Sequence, residues 1–134
     1  MKELPDPTRI TADGAFFKLR NREFLLTTHT MVRAKDRGMT LEDLLSVLDS
    51  PDDRVLEDPD YVYGKYQNYR YYGRDWCVIV DECGPAYAVA RTVLMRDRKS
   101  WERWAGDDPE RLAELAQAEQ RKKVYAAQRR QAAG

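Results

Sequence analysis

The feature that most constrains the fold is a change of hydrophobic period near residue 54. In "TLEDLLSVLDSP", residues 40–51, leucines recur at helical spacing at positions 41, 44, 45 and 48. From residue 54 onward the apolar residues instead stand in short runs rich in Tyr, Val and Ile, which are typical of strands. The sequence therefore predicts helices followed by a sheet, an α+β domain.

Turn and capping residues delimit two helices before the sheet. Thr28 is a suitable N-cap for a helix over residues 29–37, and Gly38 can end it in the left-handed conformation. Thr40 then caps a helix over residues 41–49, whose acidic first turn suits the helix dipole. The earlier stretch "AFFKLRNREFLLT" predicts either a short strand pair that turns near Asn21 or an extended arm.

Three or four strands follow, in "RVLE", "YQNYRYYG", "WCVIVDE" and "AYAVARTVLM". The segment "DECGPA" has the composition of a hairpin loop, so the last two strands should be antiparallel neighbours. The apolar run from Trp76 to Val80 is expected at the centre of the sheet. The simplest architecture packs the two helices on this meander.

After Met95 the composition becomes charged and alanine-rich. A short helix should carry Trp101 and Trp104 on one face, where they cover the sheet edge or form a docking site for a partner. Pro109 then starts a last helix with a narrow apolar stripe. We therefore expect a core domain over residues 1–106 and a C-terminal helical extension over residues 107–134, which extends past the core or docks on a partner.

Charge and composition limit the classes of function. The formal net charge is zero, with −4 in residues 1–60 and +4 in residues 61–134, so any nucleic-acid site must be a local patch. No apolar stretch is long enough for a membrane span, and the N-terminus lacks a secretory signal, which predicts a cytoplasmic protein without membrane contact. Cys77 and Cys83 have no zinc-ligand spacing, so we expect neither a metal nor another cofactor.

The first helix carries the only histidine of the chain. His29, Arg33 and Arg37 stand at i, i+4 and i+8, which places them along one helix face. This stripe fits a solvated face with acidic partners. It also fits RNA cleavage without a metal, because a histidine, with an unperturbed pKa of about 6.5, can transfer protons near neutrality and arginines can bind the phosphate. The second general acid or base would come from elsewhere in the chain.

The segment "YVYGKYQNYRYYGR", residues 61–74, combines six tyrosines with three basic residues. Strand alternation places Tyr69 and Tyr71 on one face, and Arg70 and Tyr72 on the other. The tyrosines suit packing on the sheet, stacking of unpaired bases beside cations, or a protein interface. The candidate RNA-contacting residues of this segment are Tyr69, Arg70, Tyr71 and Arg74.

These motifs together resemble a known family. The pattern "H-x-x-x-R-x-x-x-R-G" at residues 29–38, the capped helix at residues 40–51, and the Tyr-rich and Val-rich strands follow one another in the same order. In this respect residues 24–95 are similar to a small domain family of unassigned function from bacteria, phages and mobile elements. That family is grouped with the barnase, EndoU, colicin and RelE ribonuclease-like superfamily.

The resemblance implies a fold, an activity and a set of site residues. The fold is two N-terminal helices packed on a curved antiparallel sheet of three to four strands, and the activity is metal-independent RNA cleavage of the toxin type. His29, Arg33 and Arg37 would be site residues, with Arg91 and Thr92 contributed by the last strand. Arg91 lies either on the solvated face or in a cleft with His29.

Two functions remain open at this level. The first is a small metal-independent ribonuclease, a toxin or a phage or mobile-element effector, that acts on RNA. The second is a non-catalytic phage or mobile-element protein of the same fold that binds a host or partner protein. An antitoxin or host protein would be bound through the C-terminal helix.

Overall fold

A computed structural model describes residues 4–57 and 67–133, and it divides into the units Met1–Asp97 and Arg98–Gly134. The first unit contains β1 (Arg9–Thr11), β2 (Gly14–Leu19), β3 (Arg22–Thr27), α1 (Thr28–Asp36), α2 (Leu41–Asp49), β4 (Asp53–Leu56), β5 (Gln67–Tyr72), β6 (Trp76–Glu82) and β7 (Tyr87–Met95). The second unit contains α3 (Arg98–Ala105) and α4 (Pro109–Ala133). The predicted boundary between residues 106 and 107 stays a prediction.

The seven strands form one mixed sheet in the order β1-β2-β3-β7-β6-β5-β4. All neighbours are antiparallel except β3 and β7, which are parallel. After β3 the chain forms α1 and α2, adds β4 at the far edge, and returns strand by strand until β7 lies beside β3. The central strand is therefore β7.

The predicted architecture was wrong, although the α+β class agrees with the structure. The sheet has seven strands and is mixed, whereas we expected three or four antiparallel strands that follow the two helices. Residues 14–27 form the hairpin of β2 and β3, which adds strands before the helices. The parallel pairing of β3 with β7 joins residues about 60 positions apart, for example Leu26 with Ala90, and moves the centre of the sheet from β6 to β7.

The two predicted helices are confirmed, with one change at a cap. Thr27, not Thr28, is the N-cap of α1, because its hydroxyl accepts a hydrogen bond from the Thr30 amide at 3.1 Å. Gly38, at a φ of 71°, lies in the turn before α2. Thr40 is the N-cap of α2, as predicted, and it forms a reciprocal capping box with Asp43.

One face of the sheet, called here the inner face, carries the core. Val78 and Val80 of β6 are fully buried there, together with Leu44 and Leu45 of α2. The opposite face is called the outer face. Because side chains alternate along a strand, these two faces divide the candidate residues between two separate surfaces.

Residues 58–66, which include Lys65 and the first three tyrosines of the Tyr-rich segment, lie outside the described residues. Among the helices that the structure describes, none has the length and apolar character needed to cross a membrane.

Candidate functional site

His29 and Thr92 are brought together by the crossover from β3 to α1. The Nε2 atom of His29 lies 3.1 Å from the hydroxyl oxygen of Thr92, and the histidine is exposed. The adjacent Thr30 is fully buried and donates a hydrogen bond of 2.6 Å to the carbonyl of Ala90. This bond fixes the first turn of α1 against β7, and so it holds His29 beside Thr92.

A bulge in β7 determines which side chains accompany Thr92. Thr92 pairs with Ile79, whereas Ala90 pairs with Val80, so Arg91 is the extra residue on β7. Arg91 is exposed and forms an ion pair with Asp81, and the same carboxylate accepts a 2.8 Å hydrogen bond from the Asn68 amide. A bulge re-aims side chains, and here it places Arg91 and Thr92 next to each other outside the core.

Arg70 lies on the same outer face. It pairs with Ile79 of β6, which pairs in turn with Thr92, so two strand spacings, about 10 Å, separate the backbones of Arg70 and Thr92. Arg70 is held by Glu57 through an ion pair, and the hydrogen bond to Glu57 raises the pKa of Arg70. The outer face therefore carries two arginines near the His29 and Thr92 pair, each with a carboxylate partner.

The predicted stripe on α1 is divided by burial. Arg33 is half-buried, whereas Arg37 is only 6% exposed, and its carbonyl accepts a 3.1 Å hydrogen bond from the Trp76 indole. The expectation that Arg37 shares a solvent-facing stripe with His29 was wrong. The helix ends at Asp36, and Arg37 is its C-cap. Arg37 therefore does not continue the helix face of His29 and Arg33, and it is buried at the turn that follows.

The two tyrosines lie on the inner face, away from Thr92. Tyr71 is 3% exposed and pairs with Val78, which pairs with Val93 in the core, and Tyr69 packs against the same core. The structure therefore does not place Tyr69 or Tyr71 in one site with His29. Arg74 is exposed in the turn between β5 and β6.

A cluster of charged residues at the margin of the inner face was missed in the sequence. Glu82 is 6% exposed and accepts two hydrogen bonds of 2.6 Å from Arg54. Tyr71 donates a further 2.6 Å hydrogen bond to it, and Arg22 lies 3.1 Å away. Strand alternation could have predicted the burial of Glu82, because Val78, Val80 and Glu82 stand at every second position of β6 and so share the inner face.

This cluster perturbs the ionisation of its members. Burial is the largest effect on Glu82 and opposes ionisation, but the hydrogen bonds from Arg54 and Tyr71 and the arginine charges outweigh it, so the pKa of Glu82 is lowered. Burial, together with the hydrogen bond to Glu82, raises the pKa of Tyr71 to about 12. Glu82 is therefore held as a carboxylate and Tyr71 as a neutral donor.

Arg22, Arg54 and Tyr71 line a cleft of about 280 Å³ beside the β2–β3 turn. Its walls are partly apolar, from Leu19, Phe24, Leu48, Pro51 and Pro85. The guanidinium of Arg54 also lies 3.9 Å from the ring centroid of Tyr69. Since the carboxylate of Glu82 already binds both arginines, this arrangement ties β3, β4, β5 and β6 together and serves the structure of the sheet.

Searches of protein-family models, of curated proteins and of solved structures found no match to this chain.

Proposed function

We propose that the protein acts on RNA as a small metal-independent ribonuclease, with the outer face of the sheet as its site. The observation that carries the proposal is the contact between His29 and Thr92, with Arg91 directly adjacent in the chain. A proton-transfer group, a hydroxyl that orients it and a cation are thereby gathered at one exposed surface. The sequence resemblance supports the same reaction, and a toxin or phage-effector role belongs to this proposal.

The chemistry needs one proton removed and one delivered. In metal-independent cleavage the 2′-hydroxyl of RNA attacks the neighbouring phosphorus and loses its proton, and the departing 5′-oxygen gains one as the phosphorus–oxygen bond breaks. His29 performs one of these transfers, and solvent water performs the other. Its Nε2 is held by Thr92, and its Nδ1 has no hydrogen-bond partner within the described part of the chain, so Nδ1 is the atom offered to the substrate.

Arginines stabilise the negative charge on the phosphate in this proposal. Arg91 is half-exposed beside Asp81 and can exchange that carboxylate for a phosphate, since guanidinium groups form paired hydrogen bonds to both. Arg33 lies one helical turn after His29 on α1, and Arg70 lies two strand spacings from Thr92 on the outer face, so both can add to the positive charge. Arg37 takes no part because its side chain is buried.

The test is cleavage of a mixed-sequence RNA by the full chain in the presence of a chelator. His29→Ala should lower the rate by about 10²- to 10⁴-fold, the usual contribution of one general acid or base. Lys35→Ala is the matched control, because Lys35 is an exposed residue of the same helix, and this variant should cleave at the parental rate. Equal rates for parent and His29→Ala would overturn the proposal.

A specific observation favours the second function, a non-catalytic module that binds a host or partner protein. Both outer-face arginines, Arg70 and Arg91, are already paired with carboxylates, which leaves a surface of mixed charge. On α4, Leu112 is also exposed, ahead of the basic residues 121–130, as an apolar contact to a protein would be. This function predicts that neither the parent nor the variants cleave RNA.

A further inference from the structure

A groove between α3 and α4 combines an aromatic side chain with unpaired cations. Its volume is about 310 Å³, and its walls include Trp101, Leu115, Lys122 and Lys123, together with the ion pair of Arg98 and Glu119. The whole groove lies within the second unit, whereas His29 belongs to the first. Single-stranded nucleic acids are bound by this combination, in which bases stack on aromatic rings and phosphates lie against cations.

Trp101 is held in a defined orientation. Its ring centroid lies 5.4 Å from that of Trp104, with an interplanar angle of 81°, and the guanidinium of Arg111 lies 5.0 Å from the Trp104 ring. Such an edge-on pair adds to the packing of the two rings. Trp101 is half-buried and lines the groove, so it offers a fixed surface to a flat ligand.

The two lysines of this groove belong to a strongly basic segment. Residues 121–130 contain five basic residues and no acidic one, namely Arg121, Lys122, Lys123, Arg129 and Arg130. Within the part of the chain that the structure describes, none of the five has an ion pair or a hydrogen bond from its side chain. Glu119, the nearest acid in sequence, lies 2.8 Å from Arg98, close enough for an ion pair although not aligned as a hydrogen bond.

The pattern favours a nucleic acid over a membrane or a protein groove. A helix that binds a membrane surface needs a continuous apolar face, and one that docks in a protein groove needs apolar anchors at i, i+3 or i+4, and i+7. Between residues 121 and 130 the only large apolar residues are Val124 and Tyr125, which are adjacent in sequence and so point in different directions. Tyr125 is 65% exposed among the cations, as a second stacking surface would be.

We infer that the α3–α4 groove binds single-stranded RNA, with a base stacked on Trp101 and phosphates on Lys122 and Lys123. The choice of RNA over DNA rests on the proposed function. In that setting the groove retains the substrate while the outer face of the sheet carries out the chemistry. The groove thus contributes to binding and leaves the chemical step unchanged.

The test measures binding of a fluorescent oligonucleotide of about eight nucleotides, within the usual site size for single strands. All of its 2′-hydroxyls are methylated, so it cannot be cleaved by the proposed reaction and binding is measured alone. Trp101→Leu should weaken binding by about 5- to 100-fold, the range for loss of one stacked base, and Trp101→Phe should stay close to the parent. Trp104→Leu removes the ring that packs edge-on against Trp101 but leaves the groove lining in place, so it should weaken binding by less than Trp101→Leu does.

A second arm measures the salt dependence of binding. Replacing Lys122 and Lys123 with Gln should lower the slope of log affinity against log salt by about 1.4, since each lost contact to a single strand removes about 0.7. The matched control replaces the exposed Lys18 and Arg20 of the β2–β3 hairpin with Gln, which removes the same charge. The control should leave the slope unchanged, and circular dichroism should show that each variant keeps its helices.

The outcomes separate this inference from the proposed function. If the parent and His29→Ala bind equally but neither cleaves RNA, the groove stands and the ribonuclease proposal fails. The inference would be overturned if Trp101→Leu bound with parental affinity or if the parent did not bind at all. Equal changes of the salt slope in the two charge variants would overturn it as well. Displacement of the oligonucleotide by a poly-glutamate peptide at equal charge concentration would also overturn it, and would indicate an acidic protein partner.

Discussion

Glu82 shows how one buried charge can decide local stability. Its carboxylate forms an ion pair with Arg22 and accepts hydrogen bonds from Arg54 and Tyr71. Removal of the carboxylate therefore leaves three polar groups without their common partner. Net burial of a charge is unfavourable unless it is paired and hydrogen-bonded, and this carboxylate is both. The interactions of Glu82 therefore matter more for stability than those of any surface pair such as Glu57 with Arg70.

We expect Glu82→Gln to lower the free energy of unfolding at pH 7 by about 1–3 kcal/mol, the range for losing hydrogen bonds to a charged group. The control Glu57→Gln breaks an exposed pair and should cost less than about 1 kcal/mol. Denaturant unfolding of the three proteins measures both values. Similar losses in the two variants would contradict the structural role of the cluster.

The pH dependence of this difference follows from the direction of the shift. The pKa of Glu82 is lowered on folding from its ordinary value of 4.5, so its contribution is fully present above pH 4.5. It is lost as the pH falls below that value and through the folded pKa. The difference between the parent and Glu82→Gln should therefore shrink as the pH is lowered below about 4.5, and a constant difference would contradict the assignment.

At the scale of the element, local patterns were sufficient where both partners lie near each other in sequence. Turn residues delimited α1, the Thr40 cap and leucine spacing located α2, and Val-rich and Ile-rich runs on either side of a turn located the β6–β7 hairpin. Alternation also placed Tyr69 and Tyr71 on one face and Arg70 on the other. These features depend on neighbours within a few residues, which a sequence pattern reports directly.

The remaining features depend on distant partners. Three features join residues that become neighbours only in the complete sheet. They are the bulge at Arg91, the parallel pairing of β3 with β7, and the contact between His29 and Thr92. Arg37 illustrates the same limit, since helical spacing indicated a shared face but the end of α1 turned that residue into the core. Periodicity carries no information on which strand lies next to which.

Gly14 is the first residue of β2 and pairs with Thr27 of β3. Its φ is 151°, and a Cβ atom there would lie 2.1 Å from the Leu26 carbonyl oxygen. We expect Gly14→Ala to lower the free energy of unfolding by about 3 kcal/mol or more, from backbone strain and forced separation of the strands. Gly84→Ala is the control, because Gly84 has a φ of 93° with no atom within 4 Å, so only the backbone cost of about 1–2 kcal/mol remains. Equal losses would contradict the close approach.

At the scale of the molecule, the core belongs to the first unit alone. Every residue of the main hydrophobic cluster lies between Ala15 and Val93, whereas α4 is mostly exposed. We expect a truncation after residue 106 to keep a single cooperative thermal transition. A truncation after residue 97, where the two units divide, separates the contribution of α3. Loss of a cooperative transition after residue 106 would show that the last helix is needed for folding.

If His29 and Thr92 act together on RNA, a double-mutant cycle on the rate of RNA cleavage should show that the two side chains are coupled. The rates are compared for the parent, His29→Ala, Thr92→Val and the double variant. Thr92→Val should slow cleavage by about 10- to 100-fold through misplacement of the histidine ring. The double variant should be no slower than His29→Ala, because Thr92 acts through His29. A double variant whose rate loss equals the product of the two single losses would show that Thr92 acts independently of His29. Cleavage at the parental rate by His29→Ala would show that His29 takes no part in the reaction.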